Sequence, residues 1–224
     1  MTVGIVGGTG PLGCGLALRL AAAGDAVVMG SRDPGRAETV TAELVAPWPQ
    51  HALDIRGAGN VEAAACDIVV MATPWDAAVA TATSLRGEIG DRVVVSVANA
   101  LVRQGRELHA LMPPRGSIAA SVQAALPEAR VAAACQHLPA SSLAALDRRI
   151  EADVLVCADD PAAADAAAAL VERIDGLRAV RAGSLASAAA IEAFTAVLVT
   201  VNIRYKAHTT LRLGGLPDAG GTMP

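Results

Sequence analysis

Residues 2–13 read TVGIVGGTGPLG, and this stretch decides the fold. Thr2–Gly7 is short, apolar and β-branched, as a buried parallel strand should be. It runs directly into Gly8, Thr9, Gly10, Pro11, Leu12 and Gly13, a G-x-G-x-x-G sequence, and then into the helical run Gly15–Ala23, stopped by Gly24. In such a strand–turn–helix unit the first glycine lets the chain turn and the second lets backbone approach a pyrophosphate. The third lets helix and strand pack closely. The helix start adds free N–H groups and the positive end of its dipole. The segment therefore reads as a dinucleotide site. The next strand, Ala26–Met29, leads to Gly30-Ser31-Arg32. NAD sites place a carboxylate at this tip to bond the ribose 2′-hydroxyl. Here Asp33 comes only after Arg32, Ser31 can hydrogen-bond a 2′-phosphate, and Arg32 and Arg36 can pair with it, so the expected nucleotide is NADP(H).

Beyond this unit, strands and helices keep alternating. Arg36–Val45 reads as a helix, Asn60–Ala65 as a short one, and Cys66–Ala72 as a strand. The turn Ala72-Thr73-Pro74 closes that strand on the ligand side of the sheet, because strand C-termini line the crevice in open α/β sheets. Trp75–Leu85 is helical, Arg92–Val97 a strand, Gly105–Leu111 and Ser117–Ala125 helices, and Val131–Cys135 a strand. Asp153–Ala158 follows as a strand. Asp160 and Pro161 then open a helix, and Leu177–Arg181 is another strand. One long helix spans Ala186 to about Tyr205, with Ile191, Phe194, Leu198, Val201 and Tyr205 on one side. The expected class is α/β: a doubly wound Rossmann-type parallel sheet with a small C-terminal α/β extension ending in a long helix. The division expected is an NADP-binding domain over 1–140 and a smaller domain over 141–224, with a loose Gly/Pro-rich tail from Gly214 to Pro224.

Composition narrows the function. Hydrophobic residues make up 53%, charged residues 18%, and alanine alone 51 positions, so the core is built of small aliphatic groups. Eighteen basic against 22 acidic residues give a net charge of −4, which argues against a general nucleic-acid binder. The first 18 residues lack charge but hold six glycines and a proline, and no bilayer span is expected. Cys14, Cys66, Cys135 and Cys157 are too far apart for a metal site, which fits free thiols in a reducing cytoplasm.

These blocks together resemble the NADPH-dependent reductases of the deazaflavin coenzyme F420, the F420-dependent NADP oxidoreductases. The similarity lies in GIVGGTGPLGCGLALRLAAAG (4–24), GSR (30–32), MATPW (71–75), QHLPA (136–140) and IDGLRAVRAGSLASAAAIEAFTAVLVTVNIRYK (174–206), the last being the specific part. The resemblance implies hydride exchange between nicotinamide C4 and deazaflavin C5, two flat rings held about 3–3.5 Å apart with water excluded. It places His137 and Ala140 beside the reacting rings. Ala140 forms a ledge with Leu138 and Pro139 along the nicotinamide, and His137 makes a polar contact to the deazaflavin's carbonyl edge. Thr195 and Leu198 would line the deazaflavin pocket, completed by residues 141–224, and the family implies a homodimer. Gln136 stands where a histidine is often found. Two other readings stay open. One is an NADP-dependent reductase of a small imine, carbonyl or 2-hydroxy acid, a class that normally uses a Lys or His acid, whereas Lys206 is the only lysine here. The other is a non-catalytic NADP-sensing module.

Overall fold

The computed structural model describes residues 1–216; the end of the tail expected to be loose, residues 217–224, lies outside them. The chain runs β1 (Thr2–Val6), α1 (Pro11–Ala22), β2 (Ala26–Ser31), α2 (Pro34–Val45), β3 (Ile55–Gly59), α3 (Asn60–Ala64), β4 (Ile68–Met71), α4 (Trp75–Ser84), α5 (Arg86–Ile89) and β5 (Val93–Ser96). It continues through β6 (Leu101–Gln104), β7 (Glu107–Ala110), α6 (Ile118–Ala125), β8 (Arg130–Ala133), α7 (Ala140–Leu143), β9 (Ala152–Ala158), α8 (Pro161–Glu172), β10 (Leu177–Arg181) and α9 (Leu185–Tyr205).

Eight strands form one sheet in the order β10-β9-β8-β5-β4-β1-β2-β3. Every pairing is parallel except β8 with β9, where Ala132 faces Ala158. Because central strands are covered on both faces, they are apolar at every position rather than alternating. Val70 and Val95 point to one face, with Leu16 and Leu20 of α1 and Leu170 and Val171 of α8. Val69, Met71 and Val94 point to the other, with Ala78 and Ala82 of α4, Val122 of α6 and Ala188 and Ile191 of α9. The small alanines let these helices lie close to the sheet.

The doubly wound sheet is as expected, and the structure corrects several details. The helix expected over Gly105–Leu111 is the hairpin β6–β7. Gly105, at φ +63, opens a two-residue turn between Gln104 and Glu107, a conformation glycine adopts without strain. Strand β3 was not anticipated, since IRGAG carries too few β-branched residues to signal itself. Strand β8 pairs with β9 across residue 140, and residues from both sides of it share one core. Finally, of the five apolar residues read on one side of α9, only Ile191 is buried. The buried positions are Leu185, Ala188, Ile191, Glu192, Thr195 and Ala196, while Phe194, Val197 and Tyr205 are exposed. Helix α9 is also the one helix among the described residues long and apolar enough to cross a membrane by length and composition.

Candidate active site at the strand C-termini

An open cleft of about 700 Å³ lies at the C-terminal ends of β1, β2, β4 and β5. Thr9, Gly10, Pro11, Leu12 and Gly13 line one side; Ser31, Arg32 and Arg36 line a second; Ala72, Thr73 and Pro74 line a third. Gly8 sits behind the lining, its N–H donating to Gly30 O at 2.8 Å and so tying the loop to β2. Helix α1 begins at Pro11 with Gly10 as its N-cap, and no side chain caps it. The N–H groups of its first turn are therefore free for an anion. A Cβ at Gly13 would meet Gly8 Cα at 2.8 Å, so only glycine lets the helix start lie on the loop.

The β2 tip resolves the part played by Asp33. Its Oδ1 accepts from Arg36 N at 3.3 Å and caps α2, so the carboxylate is spent on the helix. Ser31 Oγ accepts from Asp33 N at 3.2 Å and keeps its own hydrogen to donate. Arg32 and Arg36 are exposed, and among the described residues neither forms an ion pair.

The other expected residues form a second group, beside the cleft rather than in its wall. Cys135 ends the run after β8 at φ +63, a strained conformation for a non-glycine. That twist presents the Gln136 carbonyl, which accepts from Asn99 Nδ2 at 2.7 Å and from Thr195 Oγ1 at 3.4 Å. Thr195 is buried against this carbonyl, and Leu198 lies half-buried nearly one turn further along α9. Leu138 belongs to the core, Pro139 is the N-cap of α7 and Ala140 its first residue. The two groups meet at Asn99, which lines the cleft.

His137 is nine-tenths buried, and its Nε2 lies 2.9 Å from Asp153 O. A carbonyl only accepts, so Nε2 carries the proton and Nδ1 is an acceptor in the neutral ring. Burial, outweighing the nearby Asp153, holds the imidazole below its usual pKa and hence neutral at pH 7. This changes the contact expected of His137: with Nε2–H engaged, it offers an acceptor and cannot donate to a carbonyl edge.

Six buried polar atoms have no partner among the described residues: Thr73 Oγ1, Ser96 Oγ, Asn99 Oδ1, Gln136 Oε1 and Nε2, and His137 Nδ1. All lie at or just past the C-terminal ends of the neighbouring strands β4, β5 and β8. An unpaired buried polar atom costs about 1–3 kcal/mol, so each of these is a group for a ligand or an ordered water to satisfy. Asn60, whose Oδ1 accepts from Gly7 N at 3.1 Å, also lines the cleft. Asn60, Ser96 and Asn99 were not singled out in the sequence. The only signal they carried was a polar residue at or just after an apolar strand.

Known proteins share the sequence and the fold of this chain. The family described as NADP oxidoreductase coenzyme F420-dependent matches residues 2–100. An F420-dependent NADP reductase of Methanothermobacter thermautotrophicus is 34% identical over 97% of this chain and 97% of its own. One from Methanocaldococcus jannaschii is 35% identical over 94% and 96%. A crystal structure assigned as an F420-dependent NADP-reductase from an Arthrobacter species superimposes with a TM-score of 0.79. It covers 93% of this chain and 96% of its own at 23% identity, and it supports the fold.

Proposed function

The chain belongs to the F420-dependent NADP reductases, and from that premise we propose how its residues divide the two ligands. The activity is that of an oxidoreductase exchanging a hydride between NADP(H) and coenzyme F420. When bound, the nicotinamide supplies or receives the hydride at C4 and the deazaflavin at C5; the chain's own task is to hold, orient and exclude water.

Both ligands suit the groups present. The uncapped start of α1, with Gly8, Thr9, Gly10, Pro11, Leu12 and Gly13, holds the pyrophosphate. Ser31 donates to the 2′-phosphate, Arg32 pairs with it, and Arg36 approaches from the side. Ala72, Thr73 and Pro74 support the cofactor's middle. Leu138, Pro139 and Ala140 back the nicotinamide, and Thr195 and Leu198 border the deazaflavin. His137 accepts a ligand N–H through Nδ1, and Gln136 offers a donor and an acceptor together. No lysine or histidine acid is needed, since the transfer moves a hydride directly between two carriers.

The observation that carries this reading is the β2 tip, where two arginines with no ion pair among the described residues border the cleft and the nearby carboxylate is committed to a helix cap. Mixing the protein with oxidised deazaflavin and either NADPH or NADH tests it. Loss of deazaflavin absorbance with NADPH, and much slower loss with NADH, is expected; equal rates would refute the assignment.

The working form is a homodimer in the cytoplasm, with neither nucleic acid nor membrane as a partner. Net charge of −4 and four scattered thiols support the compartment and the absence of nucleic acid. The exposed apolar stripe of α9 supports the dimer.

A further inference from the structure

We infer that Arg19 is a positioning residue for hydride transfer, fastening the 138–148 segment to the helix that carries the phosphate loop. The inference rests on the reading above, in which residues 138–140 back the nicotinamide. Arg19 lies on α1, nine-tenths buried. Its Nε donates to Leu143 O at 2.9 Å, and its Nη2 donates to Ser142 O at 2.9 Å, Ala145 O at 2.5 Å and Arg148 O at 2.7 Å. No carboxylate touches the guanidinium among the described residues; the backbone turn after α7 is folded around it.

A buried cation is costly unless its hydrogens find acceptors, and here backbone carbonyls accept from Nε and Nη2. The planar fork reaches carbonyls spread over seven residues, which the point charge of a lysine cannot do. A second contact reinforces the first. A Cβ at Gly15, one turn earlier on α1, would lie 2.6 Å from Leu143 Cβ and 3.2 Å from Ala140 O. The helix and the 140–144 backbone are therefore in direct contact on the side where Arg19 grips. Helix α1 starts at the pyrophosphate loop, so the loop and the ledge share one rigid bracket. A misplacement of about 1 Å between reacting groups can cost about 100-fold in rate, so this bracket governs the transfer step without touching either ligand.

Three variants test it: Arg19→Lys, Arg19→Met and Gly15→Ala. The last displaces the 140–144 segment with no change of charge, and it keeps the test open if Arg19→Met does not fold. NADPH dissociation constants are measured by titration, and single-turnover hydride transfer is followed by deazaflavin absorbance with both ligands saturating. The expected result is a transfer rate lower by roughly 10–100-fold. NADPH binding stays within twofold of the parent, and Arg19→Lys lies between the parent and Arg19→Met. Transfer at the parent's rate in Arg19→Lys and Gly15→Ala overturns the inference. So does a loss of NADPH binding in proportion to rate, which marks a merely structural residue. A parent that binds NADPH yet reduces no deazaflavin overturns the reading of the site itself, and the inference with it.

Discussion

Ser31 and Arg32 make the sharpest prediction, because their effect is electrostatic and local. A 2′-phosphate carries about two negative charges, and Arg32 can donate paired hydrogen bonds to it. Arg32→Ala should weaken NADP by roughly 1.5–3 kcal/mol, about 10–150-fold, and leave NAD nearly unchanged. Ser31→Asp should shift preference toward NAD. Titration of both nucleotides checks this, and an NADP/NAD ratio within twofold of the parent for Arg32→Ala would sink the assignment. Gln136 predicts the opposite pairing of effects. Its buried amide has two unpartnered atoms, so the near-isosteric Gln136→Met should stabilise the free protein by about 1–2 kcal/mol. That is a rise of roughly 2–8 °C in midpoint for a chain of this size. The rise in midpoint that ligands induce should shrink in the same variant. A fall in the free protein's midpoint would mean the amide is already paired. The phosphate loop and the Ser-Arg pair were legible in the sequence because each is contiguous and its chemistry follows from spacing. Asn60 and Arg19 were not. Asn60 meets Gly7 across 53 positions, and Arg19 meets its four carbonyls across 123 to 129. No periodicity encodes such a pairing.

Elements were legible where one physical signal dominated. The apolar strands β1, β4 and β5 and the proline-started α2 and α8 lie close to where the sequence puts them. The hairpin β6–β7 was misread because ELHAL suits a helix or a strand by propensity, and a Gly-X turn decides only once both strands are in view. On α9 the apolar residues cover more than one face, so spacing alone could not choose the inner one. Glu192 marks that inner face: its carboxylate accepts from Ile118 N at 2.9 Å and Ala119 N at 3.2 Å, joining α9 to the start of α6. Burial raises its pKa above 4.5, and the two N–H bonds only partly offset this. The folded state thus holds the proton more tightly than the unfolded chain. Stability from this group is complete below pH 4.5 and is lost as pH rises through the folded value. Burial would raise the Asp153 carboxyl, but Arg178, the Leu213 N–H and Arg212 together hold it below 3.8 in the folded state, so it acts in the opposite direction and at lower pH. Glu192→Gln should therefore abolish the decline that begins near pH 4.5 and leave the lower-pH behaviour intact. Chemical denaturation across pH 3–7 reads both, and a decline that persists in the variant would show that another carboxylate causes it.

For the molecule as a whole, the decisive surface is the outer face of α9. Phe194, Val197 and Tyr205 are 38%, 53% and 71% exposed, and Val102, Leu111 and Met112, in and beside the hairpin, are exposed as well. Hairpin and helix are fastened together, with Leu108 N donating to Thr200 Oγ1 at 3.2 Å. Much of the apolar side of α9 therefore faces solvent in a single chain. Exposed apolar side chains in such numbers favour association. The proposed homodimer would cover this surface with a second copy of the chain. Thr195 and Ile191, which support the Gln136 carbonyl and the core, lie on the same helix, so dimer formation would also steady the site from behind. The double variant Phe194→Glu/Val197→Lys should halve the solution mass at micromolar concentration. It should keep NADP binding within about threefold, since neither side chain lines the cleft. A parent that already runs at the mass of one chain would refute the dimer. A parent that sediments with phospholipid vesicles would assign the stripe of α9 to a membrane instead.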